Sequence, residues 1–278
     1  MTAQSDVELT EIGTALLVDG LSTNVIEAGS GSPVLLLHGS GPGVSAYANW
    51  RLTIPALAAT HRVIAFDQPG FGFTERPSGA SYTVDGWTKH VLGVVDALGL
   101  DKVDLVGNSF GGAIALRFAA AHPERVRRLV LMGSVGVPFT ITRALDEVWG
   151  YEPGPGRMRA IMHYFAYDQS LLSDELAAVR ERAASAPGVQ EAYASMFPPP
   201  RQRWVDEMAV PATTISTIPH ETLLVHGRDD QVIPLETSLR LLDLIDRAQL
   251  HVFPRCGHWV QIEQATRFNA LLRNFLDS

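Results

Sequence analysis

Short apolar runs alternate with amphipathic stretches along this chain. Val34-Leu35-Leu36-Leu37 follows a Gly29–Pro33 turn and is apolar throughout, as a strand buried on both faces must be. Val63–Phe66, Val103–Val106 and Val126–Met132 repeat that pattern. Between them, Ala46–Ala59 and Thr83–Leu98 carry apolar side chains at helical spacing, and an Ala-rich run reaches about His122. Upstream, Ala15–Val18 and Thr23–Ala28 pair across the Asp19-Gly20 turn signal. Strands alternating with helices predict βαβ units and an α/β sheet that is mostly parallel. A ligand then belongs beyond the carboxyl ends of the strands.

The rhythm changes between about Gly133 and Pro219. This stretch is rich in Tyr, Phe, Met and Arg, and Gly/Pro breaks recur at Tyr151–Gly156, Pro187-Gly188, Pro198–Pro200 and Pro211. Several short helices with no strand are expected, forming a lid over the strand ends; the alternative is a small separate interaction domain. The sheet resumes at Thr222–His226, followed by a helix from Leu235 to Ile245, strand Leu250–Phe253 and an amphipathic helix from Gln261 to Phe275. The expected division is a core over residues 1–133 and 220–278, with the lid at 134–219.

Composition narrows the classes. A chain of 278 residues, 46% hydrophobic and 19% charged, is long enough to bury one large core. The net charge of −8 without a Lys/Arg block argues against nucleic acid or anionic membrane as a partner. The single cysteine, Cys256, agrees with a reducing compartment. Met1–Glu11 is polar, unlike a signal peptide, and no run approaches the ~18–20 apolar residues of a membrane span. A cytoplasmic protein is expected.

The candidate chemistry centres on Gly107-Asn108-Ser109-Phe110-Gly111-Gly112, which joins a strand to a helix. Glycines on both sides of a serine permit a turn tight enough to expose its hydroxyl above the sheet, with helix N–H groups nearby for a developing oxyanion. A serine needs a base, and the base needs a carboxylate to hold its tautomer. Of nine histidines, His258 alone follows a strand and a glycine near the C-terminus; His61, His90 and His122 fall on or beside helix ends. The acid is Asp229 or Asp230, after the Thr222–His226 strand. That order, Ser…Asp…His, is the order of the α/β-hydrolase fold. His38-Gly39-Ser40-Gly41-Pro42-Gly43 ends the first buried strand and can bring backbone N–H groups close to a ligand; no Gly-Lys-Ser/Thr follows, so it is no phosphate loop. No metal is inferred, because His, Cys and carboxylates do not cluster at ligand spacings; no cofactor is expected.

The motifs then become specific. His38–Gly43, Asn49-Trp50-Arg51, Gly107–Gly112, Tyr167-Asp168-Gln169-Ser170, Gly227–Pro234 and Cys256-Gly257-His258-Trp259 together resemble the meta-cleavage product hydrolases, α/β-hydrolases that cut carbon–carbon bonds in aromatic-ring degradation. The resemblance spans residue 20 to the end and implies an α/β-hydrolase fold, a mostly parallel sheet with a helical lid inserted after the sixth strand. It implies Ser109 as nucleophile, His258 as base and Asp230 as acid, with the N–H groups of Ser40 and Phe110 as oxyanion donors. Gly41, Asn49, Asn108, Arg180 and Trp259 match the substrate site, where Asn49, Asn108 and Arg180 hold the carboxylate and 2-oxo end of a 2-hydroxy-6-oxohexa-2,4-dienoate. A homo-oligomer, dimer or higher, is implied as well. The pocket wall for the C6 substituent is expected from Gly133–Val137, Trp149, Phe165 and Val232, with hydrogen or a small alkyl group favoured over phenyl. A carboxylesterase and a non-catalytic binder on the same scaffold are the rival readings; a haloalkane dehalogenase would need a carboxylate where Ser109 stands.

Overall fold

A computed structural model describes residues 9–278; the first eight residues of the polar amino-terminal stretch lie outside it. Eight strands form one sheet in the order β1-β2-β4-β3-β5-β6-β7-β8. They are β1 (Thr14–Val18), β2 (Leu21–Ala28), β3 (Ser32–Leu37), β4 (His61–Phe66), β5 (Val103–Asn108), β6 (Val126–Met132), β7 (Glu221–Gly227) and β8 (Ala248–Phe253). β1–β2 and β2–β4 pair antiparallel, and every pairing from β4 through β8 is parallel. The apolar runs occupy the centre because helices cover both faces.

On one face pack α1 (Ala46–Trp50), α2 (Ile54–Leu57) and the carboxyl-terminal helix, with Trp50, Phe268 and Leu272 buried. On the other lie α3 (Val84–Ala97) and α4 (Phe110–Ala121), whose small side chains let it press against β5 and β6. The expected helix over Ala46–Ala59 is broken in two. Pro55 cannot donate to the turn before it and its ring crowds that turn, so the chain restarts at Thr53.

Between β6 and β7 the chain is helical, with no strand: α5 (Arg143–Trp149), α6 (Arg157–Met162), α7 (Asp174–Ala184), α8 (Val189–Met196), α9 (Gln202–Met208) and α10 (Ala212–Ile215). Gly156 and Gly188 take positive φ just before α6 and α8, which is where the Gly/Pro breaks were read. After β7 come α11 (Leu235–Leu244), then α12 (Val260–Glu263) and α13 (Ala265–Asp277) in place of one continuous terminal helix. Gln264, at φ −119, separates the last two. Two histidines depart from expectation. His61 opens β4 and His90 lies mid-α3 against the Thr23 hydroxyl, 3.1 Å away, neither at a helix end, and both are buried. No helix among the described residues is long and apolar enough to cross a membrane.

Candidate active site

The parallel strands deliver their carboxyl ends to one rim. Ser109 sits between β5 and α4 at φ 57, ψ −116, a left-handed backbone that a non-glycine residue adopts only when its surroundings impose it. They do so here. The Ser109 N–H donates to Met132 O of β6 at 2.8 Å, and its carbonyl accepts from Gly112, Ala113 and Val135. A Cβ on Gly107 would lie 2.4 Å from Gly111 O, and one on Gly111 would lie 2.5 Å from His38 O, so neither position admits a side chain. The turn is therefore as tight as its glycines suggested.

His258 follows β8. Its Nδ1 is 2.7 Å from Asp230 Oδ2, while Asp230 Oδ1 accepts the N–H groups of Val232 at 2.7 Å and Ile233 at 3.0 Å. Burial pushes the Asp230 carboxyl upward, but His258, His226 and the Ile233 N–H together outweigh it and hold the group below the usual carboxylate range. An ionised Asp230 therefore fixes the Nδ1–H tautomer of His258 and leaves Nε2 free to accept a proton. Asp229 is turned away: its Oδ2 accepts from Cys256 N–H at 3.4 Å and its own N–H donates to Cys256 O. His226 was not foreseen near the acid. Its Nε2 donates to Ile233 O at 3.0 Å, it lies 3.5 Å from Asp230, and burial keeps it neutral.

The His38 loop abuts the serine so closely that a Cβ on Gly39 would stand 3.4 Å from the Ser109 Cβ. His38 Nε2 accepts the Gln68 N–H at 2.9 Å, so its proton is on Nδ1 and donates to Gly39 O at 2.7 Å. Full burial drops its pKa to about 4, and the ring stays a neutral brace. Ser40 is held from the helical insertion: Trp149 Nε1 donates to its Oγ at 2.9 Å and Tyr193 Oη to its carbonyl at 3.0 Å. Among the described residues, neither the Ser40 nor the Phe110 N–H has a protein acceptor. The Phe110 side chain faces the core, edge-on to Trp87 at 4.7 Å.

One cavity of about 140 Å³ unites these groups. Ser40, Gly41, Asn49, Asn108, Ser109, Arg180, His258 and Trp259 all line it; of the predicted site residues, Phe110, read for its backbone, and Asp230, which reaches the site through His258, stay out of the wall. Asn49 is placed by α1, whose first N–H is gripped by Asp67 at 2.6 Å and whose cap is Ser45. Its Oδ1 accepts from Gly39 N–H, and its Nδ2 is buried without a partner. Arg180, on α7, reaches Gly43 O at 3.4 Å and stands 5.8 Å from the Trp259 ring. Burial, with Arg51 beside it, lowers its pKa to about 10, so it remains a cation. Arg51 and Gln261 also line the cavity and were not anticipated.

Part of the predicted apolar wall is wrong. Phe165 and Val232 line the cavity; Gly133–Val137 and Trp149 do not. Gly133, at positive φ, turns the chain beneath His258 and Asp230, after which Val135 and Val137 enter the core. Trp149 lies behind the wall, stacked on Phe197 at 4.5 Å while it holds Ser40. Leu145, Val148, Met158, Ile161 and Met162 form most of the apolar surface instead. They stand at helical spacing on α5 and α6, a signal the sequence carried but which did not show which face turned inward.

The alpha/beta hydrolase fold family profile matches residues 32–265. The chain is 61% identical over 266 residues to a 2-hydroxy-6-oxo-2,4-heptadienoate hydrolase of Pseudomonas putida strain F1, covering 96% of each. It is 57% identical to a 2-hydroxymuconate semialdehyde hydrolase of Pseudomonas sp. strain CF600, covering 96% of this chain and 94% of that one. A solved meta-cleavage product hydrolase of Pseudomonas fluorescens IP01, complexed with acetates, superposes with a TM-score of 0.95 at 56% identity, over 96% of this chain and 98% of the other.

Proposed function

Because the chain belongs to the alpha/beta hydrolase family and, within it, to the meta-cleavage product hydrolases, we propose that its substrate is a 2-hydroxy-6-oxohexa-2,4-dienoate carrying hydrogen or a small alkyl group at C6. The enzyme hydrolyses a carbon–carbon bond of a ring meta-cleavage product in aromatic catabolism; the C6 preference and the residue roles are our reading. The carrying observation is that a Ser109–His258–Asp230 arrangement shares one cavity with Arg180 and the unpartnered Asn49 amide. An ester hydrolase has use for the first half of that cavity. A dienoate needs both.

Arg180, Asn49 and Asn108 hold the carboxylate and the 2-oxygen and favour the 2-oxo tautomer, into which electrons can later flow. Ser109 Oγ attacks C6 as its proton passes to His258 Nε2. The Ser40 and Phe110 N–H groups receive the oxyanion, each such donor typically lowering the barrier by ~3–4 kcal/mol. Collapse breaks C5–C6; the electron pair moves through C3=C4 to the 2-oxygen, which takes up the proton released by His258 to give 2-hydroxypenta-2,4-dienoate. Water, activated by His258, then releases the acyl group from Ser109 as a carboxylic acid. Trp259 and Gly41 complete the walls of the site. Residues 134–219 serve as the lid over a core formed by 1–133 and 220–278.

Two observations favour the small substituent. The heptadienoate and muconate semialdehyde relatives act, by name, on methyl- and hydrogen-bearing substrates. The cavity of about 140 Å³ is no larger than one that takes a benzene in an engineered core. We also assign the protein to the cytoplasm, on its single buried cysteine, and to a homo-oligomer, on resemblance to its family. The test is bleaching of yellow dienoates with hydrogen, methyl or phenyl at C6. Faster turnover of the first two by ~10–200-fold is expected from a pocket contact of this size; a phenyl substrate turned over as fast would refute the assignment.

A further inference from the structure

His258 is fixed on both sides. Immediately before it, the Gly257 N–H donates to Glu263 Oε1 at 2.6 Å; immediately after it, the Trp259 N–H donates to Phe165 O at 3.0 Å. The other oxygen of Glu263 accepts the N–H groups of Tyr167 and Asp168, each at 2.8 Å. One carboxylate thus bridges the loop that carries the histidine and residues 167–168 of the helical insertion. The two backbones are in direct contact as well: a Cβ on Gly257 would lie 2.7 Å from Phe165 O and 2.9 Å from Tyr167 N. Phe165 in turn stacks on Trp259 at 4.9 Å and 3° and stands 6.0 Å from His258.

We propose that Glu263 is a positioning residue for the reaction, a clamp that joins the His258 loop to the insertion through three backbone N–H groups. The inference rests on His258 being the base. A carboxylate is suited to the task because it has only acceptors, two oxygens aimed at donors on two different segments. Charge strengthens all three bonds, which share a single anion. A glutamine of equal shape has one acceptor, and its NH₂ would confront an N–H. Glu263→Gln therefore releases one side of the clamp, and both the imidazole and the Phe165 wall lose their common reference.

The test is steady-state kinetics of Glu263→Gln and Glu263→Asp on a dienoate and on an activated ester, with His258→Ala alongside and all rates normalised to folded enzyme. Since both substrates use His258, kcat should fall about tenfold or more on both, with KM within about threefold, as expected for a base displaced by a fraction of an ångström. The far-downfield resonance of the proton shared by His258 and Asp230 should broaden or shift. Glu263→Asp keeps the charge but is shorter by a methylene; it should lose less and covers the case in which the glutamine variant does not fold. Wild-type kcat and an unchanged resonance, with only a lowered Tm, would overturn the clamp. Turnover retained by His258→Ala would instead remove the assignment of the base on which the clamp depends.

Discussion

Asp229 and Asp230 are chemically identical neighbours with opposite surroundings. Asp230 faces His258 and is held ionised against the cost of its burial by that histidine together with His226 and the Ile233 N–H. Asp229 closes the Cys256 turn at the surface of the site. Asp230→Asn should therefore lower kcat by about 10³–10⁴-fold, because an amide can impose the wrong tautomer on the imidazole. Asp229→Asn should leave kcat nearly unchanged; comparable losses in the two variants would refute the assignment. Spacing within the sequence could not make this choice, since either residue can end a strand. The decision comes from the N–H groups of Val232 and Ile233, which point at one carboxylate only. Glu263 was illegible for a related reason. Two of its three partners lie 95 and 96 positions away in the chain, and all three are backbone groups with no side-chain signature.

At the scale of elements, the apolar runs and the glycines were the legible features, because both report local requirements. A run without polar residues has to be a strand covered on two faces, and Gly107 and Gly111 have to flank a turn with no room for Cβ. Gly107→Ala should cost at least about 3 kcal/mol, the upper part of the range for over-packing, because the obstruction is the backbone of Gly111 and Gly112 rather than a side chain that can move. Denaturant unfolding would measure it. A loss below about 1 kcal/mol would mean that the elbow can open, contrary to a rigid turn. The insertion was less legible. Its helices were foreseen from their breaks, but which face of α5 meets the cavity depends on how Trp149 and Tyr193 dock on Ser40, and that contact is tertiary.

The whole molecule buries titratable groups of opposing sign, and their sum sets its response to acid. His38 and His90 are lowered from 6.5 to about 4, chiefly by burial. Their contribution to stability is complete above 6.5 and is lost as pH falls towards 4, because the unfolded chain takes up their protons first. Asp67, raised to about 6 by burial, acts the other way: the folded state keeps its proton, so its contribution grows as pH falls from 6 towards 3.8. Two histidines against one carboxylate leave a net uptake of about one proton on unfolding, and His226, also lowered by burial, adds to it. Between pH 4.5 and 6 the unfolding free energy should thus rise with pH by about 1.4 kcal/mol per unit, and His90→Gln should remove most of that slope. A flat profile in the wild type would contradict this balance.

The central claim is that one cavity joins a serine hydrolase triad to a clamp for a substrate carboxylate. The most direct measurement is kcat/KM of Arg180→Met against wild type on two substrates, a C6-methyl dienoate and p-nitrophenyl acetate. The loss on the dienoate should be about 10²-fold or more, the cost of removing a charge-assisted contact to the carboxylate, with the ester rate held within about threefold. Equal losses on both substrates, or no loss on the dienoate, would contradict it.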